Sequence, residues 1–463
     1  MSGQPFALTA LEMAHAFGGA LQQGPADRPL PTVSIDTRSL RPGDMFVAIR
    51  GPRFDGHDFV SAAIARGAGA VVVSDASAVT SVDVPVIVVD DTLRGLQAAA
   101  QVIRRRAGSI VVAITGSAGK TTTKEITATL LERRFTTFRT RGNLNNHIGL
   151  PLSLFELHTA PRMAVVELGM SGPGEIARLV QIAEPQVRVW TNVGDAHLGF
   201  FTSVDAIAAA KAEILDGARA GDLFVANAGD PRVLAHAAGF PGRVVTFGVN
   251  VAAHVSIADV QVRGFEGTTA TLVLHDEVRR IETRLVGVAN LANVAAASAV
   301  AHASGVPADE IVSGISGLVP AAHRGEIVRA PGGWVVIDDA YNSSPAALTQ
   351  ALETLGATHG RRVAVVGEML ELGEFSERCH AECGRAAARV GIDVVVAVGG
   401  ASALTLADAA RADGVTDVRY VPDSAAAAAL VRDLVRTGDA VLVKGSRGVG
   451  LETVVQALTG ETR

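Results

Sequence analysis

The chain has 463 residues, 48% hydrophobic and 19% charged, with a formal net charge of −6. That length allows about three domains at roughly 100–200 residues each, and the mildly acidic balance excludes an electrostatic case for nucleic acid or an anionic membrane surface as partner. No apolar run approaches the roughly 20 residues of a membrane helix, and Glu12 and His15 interrupt the N-terminal apolar stretch before the first basic residue, Arg28, so neither a signal peptide nor an integral membrane segment is expected.

The first ~90 residues read as one unit. Ser34-Ile35-Asp36-Thr37-Arg38 leads into the turn signal Arg41-Pro42-Gly43-Asp44 and the apolar run Met45 to Ile49. A loop over Gly51 to His57, a helix over Phe59 to Ala68 and a strand over Ala70 to Val73 follow. From residue 93 onward, strand-like runs recur at Ile110 to Ile114, Met163 to Val166 and Val187 to Val193, separated by helical stretches. This alternation predicts α/β layers on a mostly parallel sheet. Val255 to Val262 and Thr268 to Leu274 alternate around the turn Gly264 to Gly267, which predicts antiparallel strands added to that domain. From residue 322, the runs Trp334 to Ile337, Arg362 to Val366, Val394 to Val398 and Ala440 to Val443 alternate with Ala-rich helices, as in a Rossmann-type unit. The expected organisation is three α/β domains, 1–92, 93–321 and 322–463.

Polar clusters follow the strand runs, where open α/β sheets bind ligands. Gly116-Ser117-Ala118-Gly119-Lys120-Thr121 lies between a strand run and a helix pattern. Its glycines would let backbone N–H groups approach phosphates, with Lys120 as a mobile charge and the Thr121 hydroxyl as a Mg²⁺ ligand. The loop is shorter than the general pattern: Ile114 stands six residues before Lys120, where a Gly is usual. Glu167 ends a strand run, where a carboxylate could hold Mg²⁺ or simply cap a turn. His197 follows another strand run, and a hydrogen-bonded loop histidine is its plainer reading. Asn290 and Asn293, three apart on a helix, share a face; they could read a base edge or serve as capping groups. Arg324 and Asp338-Asp339-Ala340-Tyr341-Asn342 open the third region and could reach phosphate and ribose, or lie in a solvated loop.

Lysine and arginine total 41, but only four are lysines: Lys120, Lys124, Lys211 and Lys444. Lys is a compact charge whose pKa falls on burial, so these positions are candidates for function, Lys124 the weakest. Val204, Ile207, Ala208, Lys211, Ile214 and Leu215 follow the i, i+3, i+4, i+7 pattern, which puts Lys211 inside an apolar stripe. A buried Lys is costly unless neutral or paired; a snorkelling side chain, a buried ion pair and a chemical role all fit the pattern. Cys379 and Cys383 are the only cysteines and share a helix face beside His380. They read as reduced thiols, too few for a metal site.

These motifs, in order and over essentially the whole chain, resemble the Mur ligases, ATP-dependent amide ligases of peptidoglycan precursor synthesis. Thr115-Gly116-Ser117-Ala118-Gly119-Lys120-Thr121-Thr122 resembles the family's phosphate loop. The resemblance implies that Thr121, Glu167, His197 and Lys211 hold two Mg²⁺ ions, Lys211 as a carbamate, and that Asn290, Asn293, Arg324 and Asp339 contact the nucleotide. Arg141 to Pro151, Asp338 to Asn342 and Gly367 to Gly373 are similar to the type that adds D-alanyl-D-alanine. Ser34 to Phe59 is similar to that type's UDP-substrate domain, and Lys444-Gly445-Ser446-Arg447 to its last strand end. Ser34, Asp36, Arg38, Asn143, Asn145, Asn146, Tyr341 and Asn342 would then contact substrate. The sequence departs from the family at Ala289, where a His is usual, and at Glu368, where an Asp is common.

The implied activity is attack of a UDP-N-acetylmuramoyl-tripeptide carboxylate on the γ-phosphoryl group of ATP, followed by attack of the D-alanyl-D-alanine amine on the acyl phosphate. Lys120, His197 and Lys211 would be the catalytic groups, and closure of the third domain would exclude water. A cytoplasmic monomer is implied. The alternatives are a sister ligase adding the third amino acid, a folyl-polyglutamate ligase, and a nucleotide-binding regulatory protein without ligase chemistry.

Overall fold

The computed structural model describes residues 4–79, 84–196 and 198–460. The chain forms two compact units, one from Met1–Thr115, Arg134–Arg188 and Glu213–Leu223, the other from Gly116–Arg133, Val189–Ala212 and Phe224–Arg463. These units interleave along the sequence, whereas the expected boundaries at 92/93 and 321/322 are sequential.

The first unit opens with the helix Ala10–Ala16. Its N-cap Thr9 and Glu12 exchange side chain-to-backbone bonds, so two N–H groups at the helix start are satisfied reciprocally. Five strands then form a sheet in the order Ala20–Gln23, Val86–Val88, Ala70–Val73, Met45–Val47, Val33–Ser34. All pairs are parallel except the first. Phe46, Val60, Ala63, Val71 and Val73 fill one face. The expected helix over Phe59 to Ala68 is shorter, Val60–Ala65, because Gly67 takes a left-handed φ of +87° and stops it. The helix Thr92–Ala107 starts on the Asp91 side chain and ends at Gly108 with φ +65°. It leads into parallel strands Ile110–Thr115, Met163–Glu167 and Thr137–Arg139.

In the second unit, Arg243–Val249 pairs parallel with Val255–Val262, and the antiparallel strands predicted from alternation follow: Val255–Val262 with Thr268–Leu274, then Glu277–Thr283. A separate six-stranded sheet runs Glu326–Arg329, Val335–Asp339, Ala440–Lys444, Arg362–Gly367, Val394–Val398, Asp417–Val421. Only its first pair is antiparallel. Val336, Val365, Val396, Val441 and Val443 are buried within it. The neighbouring strand ends Asp339 and Lys444 are in register, so an acidic and a basic side chain meet at the carboxyl edge, where such sheets bind ligands.

Candidate active site

The phosphate loop and the helix Lys120–Leu131 belong to the second unit. Gly119 is the N-cap residue, with φ +80° and no side-chain cap, so no side chain of the cap residue competes for the first helical N–H groups. The loop is clamped by the segment that follows the strand Val187–Trp190. The strand run was expected to reach Val193. It ends at Trp190 because Thr191 and Asn192 turn their hydrogen bonds onto the loop. The Ser117 N–H donates to the Asn192 carbonyl at 3.0 Å and the Ala118 N–H to Asn192 Oδ1 at 2.8 Å. Thr191 Oγ1 and Asn192 Nδ2 both donate to the Ala118 carbonyl, at 2.7 and 3.2 Å. Ser117 Oγ donates to the Gly194 carbonyl and accepts from the Gly194 N–H. A Cβ on Gly116 would lie 1.8 Å from Thr191 Oγ1, so only glycine fits. The clamp is a set of functional groups that motif reading passes over; its signal was the polar run directly after a strand.

Lys120 lies at the loop, its Nζ donating to the Gly116 carbonyl at 2.8 Å. Lys211 is on the helix Val204–Ala212, 1% exposed, with Ile207 and Ala208 buried on the same helix. The apolar stripe is therefore real, although the helix tightens to 3₁₀ over Glu213–Leu215. Burial, and then the positive charge of Lys120, hold the Lys211 amine well below the ordinary lysine value. Lys211 thus joins Lys120 in one electrostatic neighbourhood, while His197 lies outside the described residues.

Asn293 and Asn290 part company. Asn293 is 7% exposed, and its Oδ1 accepts from Thr123 Oγ1 at 3.1 Å. Asn290 instead donates from Nδ2 to the Val286 carbonyl at 2.9 Å and lies beside Gly325. The two amides therefore have different protein partners, although their spacing puts them on one helix face.

Around Asp339 a second cluster forms. Lys444 Nζ, on a side chain 4% exposed, donates to Asp339 Oδ2 at 2.6 Å and to the Asn342 carbonyl at 3.1 Å. The Tyr341 ring lies 4.0 Å from the Arg324 guanidinium and 5.1 Å from that of Arg447. Arg447 Nη1 also donates to the Tyr341 hydroxyl at 3.0 Å. Gly194 is packed between Ser117 and Ala346, 3.7 and 3.9 Å from where its Cβ would be. This brings the helix Pro345–Gly356 against the phosphate loop. Asp338 points elsewhere. It is buried against His323 Nδ1 at 2.7 Å, and burial raises its pKa in spite of that partner.

Thr121 and Thr122 lie on the helix Lys120–Leu131 in the second unit, whereas the predicted residues Ser34, Asp36, Arg38, Thr115, Asn143, Asn145, Asn146 and Glu167 lie in the first. Thr115 Oγ1 donates to the Leu168 carbonyl, joining neighbouring strand ends. Glu167 is 3% exposed, and Oε1 accepts from Asn145 Nδ2 at 2.7 Å. The Asn145 N–H donates to the Asn143 carbonyl, and Asn146 Oδ1 receives the Ile148 and Gly149 N–H groups at the start of the helix Gly149–Phe155. Ser34 Oγ and the Asp36 backbone bond each other, and Arg38 reaches the Asp36 carboxylate from both Nε and Nη2. That guanidinium holds Asp36 down to a pKa of about 2. Cys379 and Cys383 are unpaired and buried, and burial pushes the Cys383 thiol up to about 12. Among the described residues no three His, Cys, Asp or Glu side chains form a metal-binding group, and no helix is long and apolar enough to cross a membrane.

Three family models match in succession: the Mur ligase family catalytic domain over 30–104, the Mur ligase middle domain over 114–301, and the Mur ligase glutamate ligase domain over 323–447. The UDP-N-acetylmuramoyl-tripeptide--D-alanyl-D-alanine ligase of Escherichia coli (strain K12) is 36% identical over 455 residues, covering 97% of this chain and 98% of that protein. A crystal structure of MurF from Acinetobacter baumannii superposes with a TM-score of 0.90 at 31% identity, covering 99% of this chain and 100% of that one. The MurF ligase of Thermotoga maritima, crystallised with ADP, gives 0.82 at 30% identity over 93% of this chain and 97% of that one.

Proposed function

This chain belongs to the Mur ligase family, and from that premise we propose how its residues divide the work of the family's reaction. The protein is an ATP-dependent ligase that adds D-alanyl-D-alanine to UDP-N-acetylmuramoyl-tripeptide in peptidoglycan precursor synthesis. The observation that carries the site reading is the clamped phosphate loop, with the buried, charge-depleted Lys211 in the electrostatic reach of Lys120. ATP is the nucleotide.

In the proposed division, segment 1–92 takes the UDP end of the substrate, 93–321 the ATP, and 322–463 forms the Rossmann-like part. The backbone of Thr115 to Thr122 carries the phosphates, and Lys120 moves its ammonium from the Gly116 carbonyl to the transferring group. Arg324 and Asp339 contact the nucleotide from the third segment. Lys444 fixes Asp339, and Arg447 fixes Tyr341. Asn290 stays on the adenine side beside Gly325. Ser34, Asp36, Arg38, Asn143, Asn145, Asn146, Tyr341 and Asn342 are the proposed substrate contacts. Thr121, Glu167, His197 and a carbamylated Lys211 are the proposed ligands of two Mg²⁺ ions, which when bound would neutralise phosphate charge. The burial of the Lys211 amine, which lowers its pKa, supports its part in that set. Because ATP is an intracellular substrate we place the enzyme in the cytoplasm, and because one chain supplies every group named we take it to act as a monomer.

The test is phosphate release from ATP. Release should require both UDP-muramoyl tripeptide and D-alanyl-D-alanine and yield a pentapeptide product by mass. Release only with a single amino acid in place of the dipeptide would move the enzyme to the sister step; ATP binding without release under any amine would support a regulatory protein.

A further inference from the structure

The face shared by Asn290 and Asn293 invited one role for both, and the packing of Asn293 points to a role of its own. Three contacts close a triangle at the foot of the helix Lys120–Leu131. The Thr123 N–H donates to the Gly119 carbonyl at 2.8 Å. The Thr123 hydroxyl, on a residue with no exposed surface, donates to Asn293 Oδ1 at 3.1 Å. That same oxygen lies 2.3 Å from where a Gly119 Cβ would be, with Cγ at 3.2 Å and Nδ2 at 3.3 Å. The amide of Asn293 therefore points its oxygen at the glycine whose φ of +80° lets the loop turn into the helix. A base edge is read by an amide offering its oxygen and its N–H groups together; here the oxygen is held against Gly119 and engaged by Thr123. Thr191 Oγ1 occupies the matching position at the other end of the loop, 1.8 Å from the Cβ position of Gly116. The loop is thus braced at both of its glycines by a side-chain oxygen.

We propose that Asn293 is a positioning residue for phosphate binding: with Thr123 it fixes Gly119, and so the N–H groups at the helix start, and it takes no part in recognising the base. The proposal rests on the reading of this loop as the ATP site. It predicts a base-independent defect. Asn293→Ala and, with the amide left in place, Thr123→Val should each weaken ATP, GTP and inorganic tripolyphosphate by the same factor, about tenfold, which is what one buried hydrogen bond is worth. The double variant should be no worse than the poorer single one.

Dissociation constants for the three ligands by titration calorimetry, well below the melting temperature of each variant, give the answer. Equal factors across ATP, GTP and tripolyphosphate support the brace. A collapse of ATP over GTP preference in Asn293→Ala, with tripolyphosphate binding intact, would overturn it in favour of base reading. Unchanged binding in Thr123→Val, a substitution that preserves shape, would also overturn it, leaving Asn293 as packing. Wild-type protein that binds none of the three would remove the ATP-site reading and the brace together.

Discussion

Lys211→Met removes an amine that burial has driven toward its neutral form, and the consequence can be worked with its sign. Its folded pKa lies well below the ordinary lysine value of 10.5, so between those two values the unfolded chain binds more protons than the folded one. Folded stability then rises with pH across that window. Lowering the pH from 10.5 should destabilise the wild type relative to Lys211→Met by about 1.4 kcal/mol per unit, until the folded pKa is passed and the difference levels off. With an unfolding entropy of roughly 2.1 cal/mol/K per residue, a chain of this size melting in one transition would show about 1–2 °C per pH unit. The assay is the melting temperature of both proteins in CO₂-free buffer from pH 7.5 to 10. The variant should melt higher, with a gap that widens as pH falls, while its ligase activity drops by at least about 100-fold. Adding bicarbonate at pH 8 should raise the melting temperature of the wild type alone, because only it can form a carbamate. Parallel pH curves would mean a paired, charged amine and would refute the desolvation argument; no bicarbonate effect would sink the carbamate.

Gly116→Ala would place Cβ 1.8 Å from Thr191 Oγ1 on a backbone with φ +153°. Overpacking and strain of about 1–3 kcal/mol are expected, and calorimetry should find ATP binding lost rather than merely weakened. Lys444→Met leaves the Asp339 carboxylate without its 2.6 Å partner. Because Asp339 is 24% exposed, the cost should fall at the lower end for a broken buried pair, about 2–3 kcal/mol by denaturant unfolding, and adding Asp339→Asn should restore part of it. At the substrate end, Arg38→Ala should raise the KM for the UDP substrate without moving the melting temperature, since the Arg38 side chain is 87% exposed. Asp36 has a depressed folded pKa of about 2, so what it contributes to stability is present above the ordinary aspartate value of 3.8 and is lost only as pH falls toward 2. A KM profile flat from pH 5 to 8 in this respect is the expected result.

How much of this was legible follows from the range of the interactions involved. The phosphate loop, the apolar stripe carrying Lys211 and the strand-end acids are local: each is fixed by residues within a few turns or one strand, and the structure places them as read. The clamp by Thr191 and Asn192 was only half legible: the polar residues after the strand stand in the sequence, but the loop they hold lies 73 and 74 residues away along the chain, and only the fold brings the two together. Asn293 shows the reverse case. Its spacing from Asn290 was read correctly, but which face of an amide meets a base or a glycine is decided by a helix 170 residues distant. The antiparallel edge strand Glu326–Arg329 was missed for a third reason: at four residues with intermediate burial it has too little alternation to register.

The scarcity of lysine acquires a physical meaning once burial is known. Lys124, Lys211 and Lys444 are 0, 1 and 3% exposed, and Lys120 is half-buried in the loop. Lys124, the weakest candidate by sequence, pairs with Glu125 at 2.9 Å. Where a basic group sits on the surface of this chain, arginine serves, because nothing there distinguishes a fork of five donors from a point charge. Inside, the two differ. A guanidinium stays charged and needs five donors satisfied, whereas an ammonium fits a narrow space, turns its three donors onto two or three oxygens, as Lys444 does with Asp339 and Asn342, or has its pKa lowered by burial, as Lys211 does. Each retained lysine therefore sits where an arginine would be too large, too demanding of partners or unable to become neutral, and only the last of these constraints makes chemistry. On that argument Lys211, whose pKa burial lowers, is set apart from Lys124 and Lys444, whose ammonium groups pair with Glu125 and Asp339.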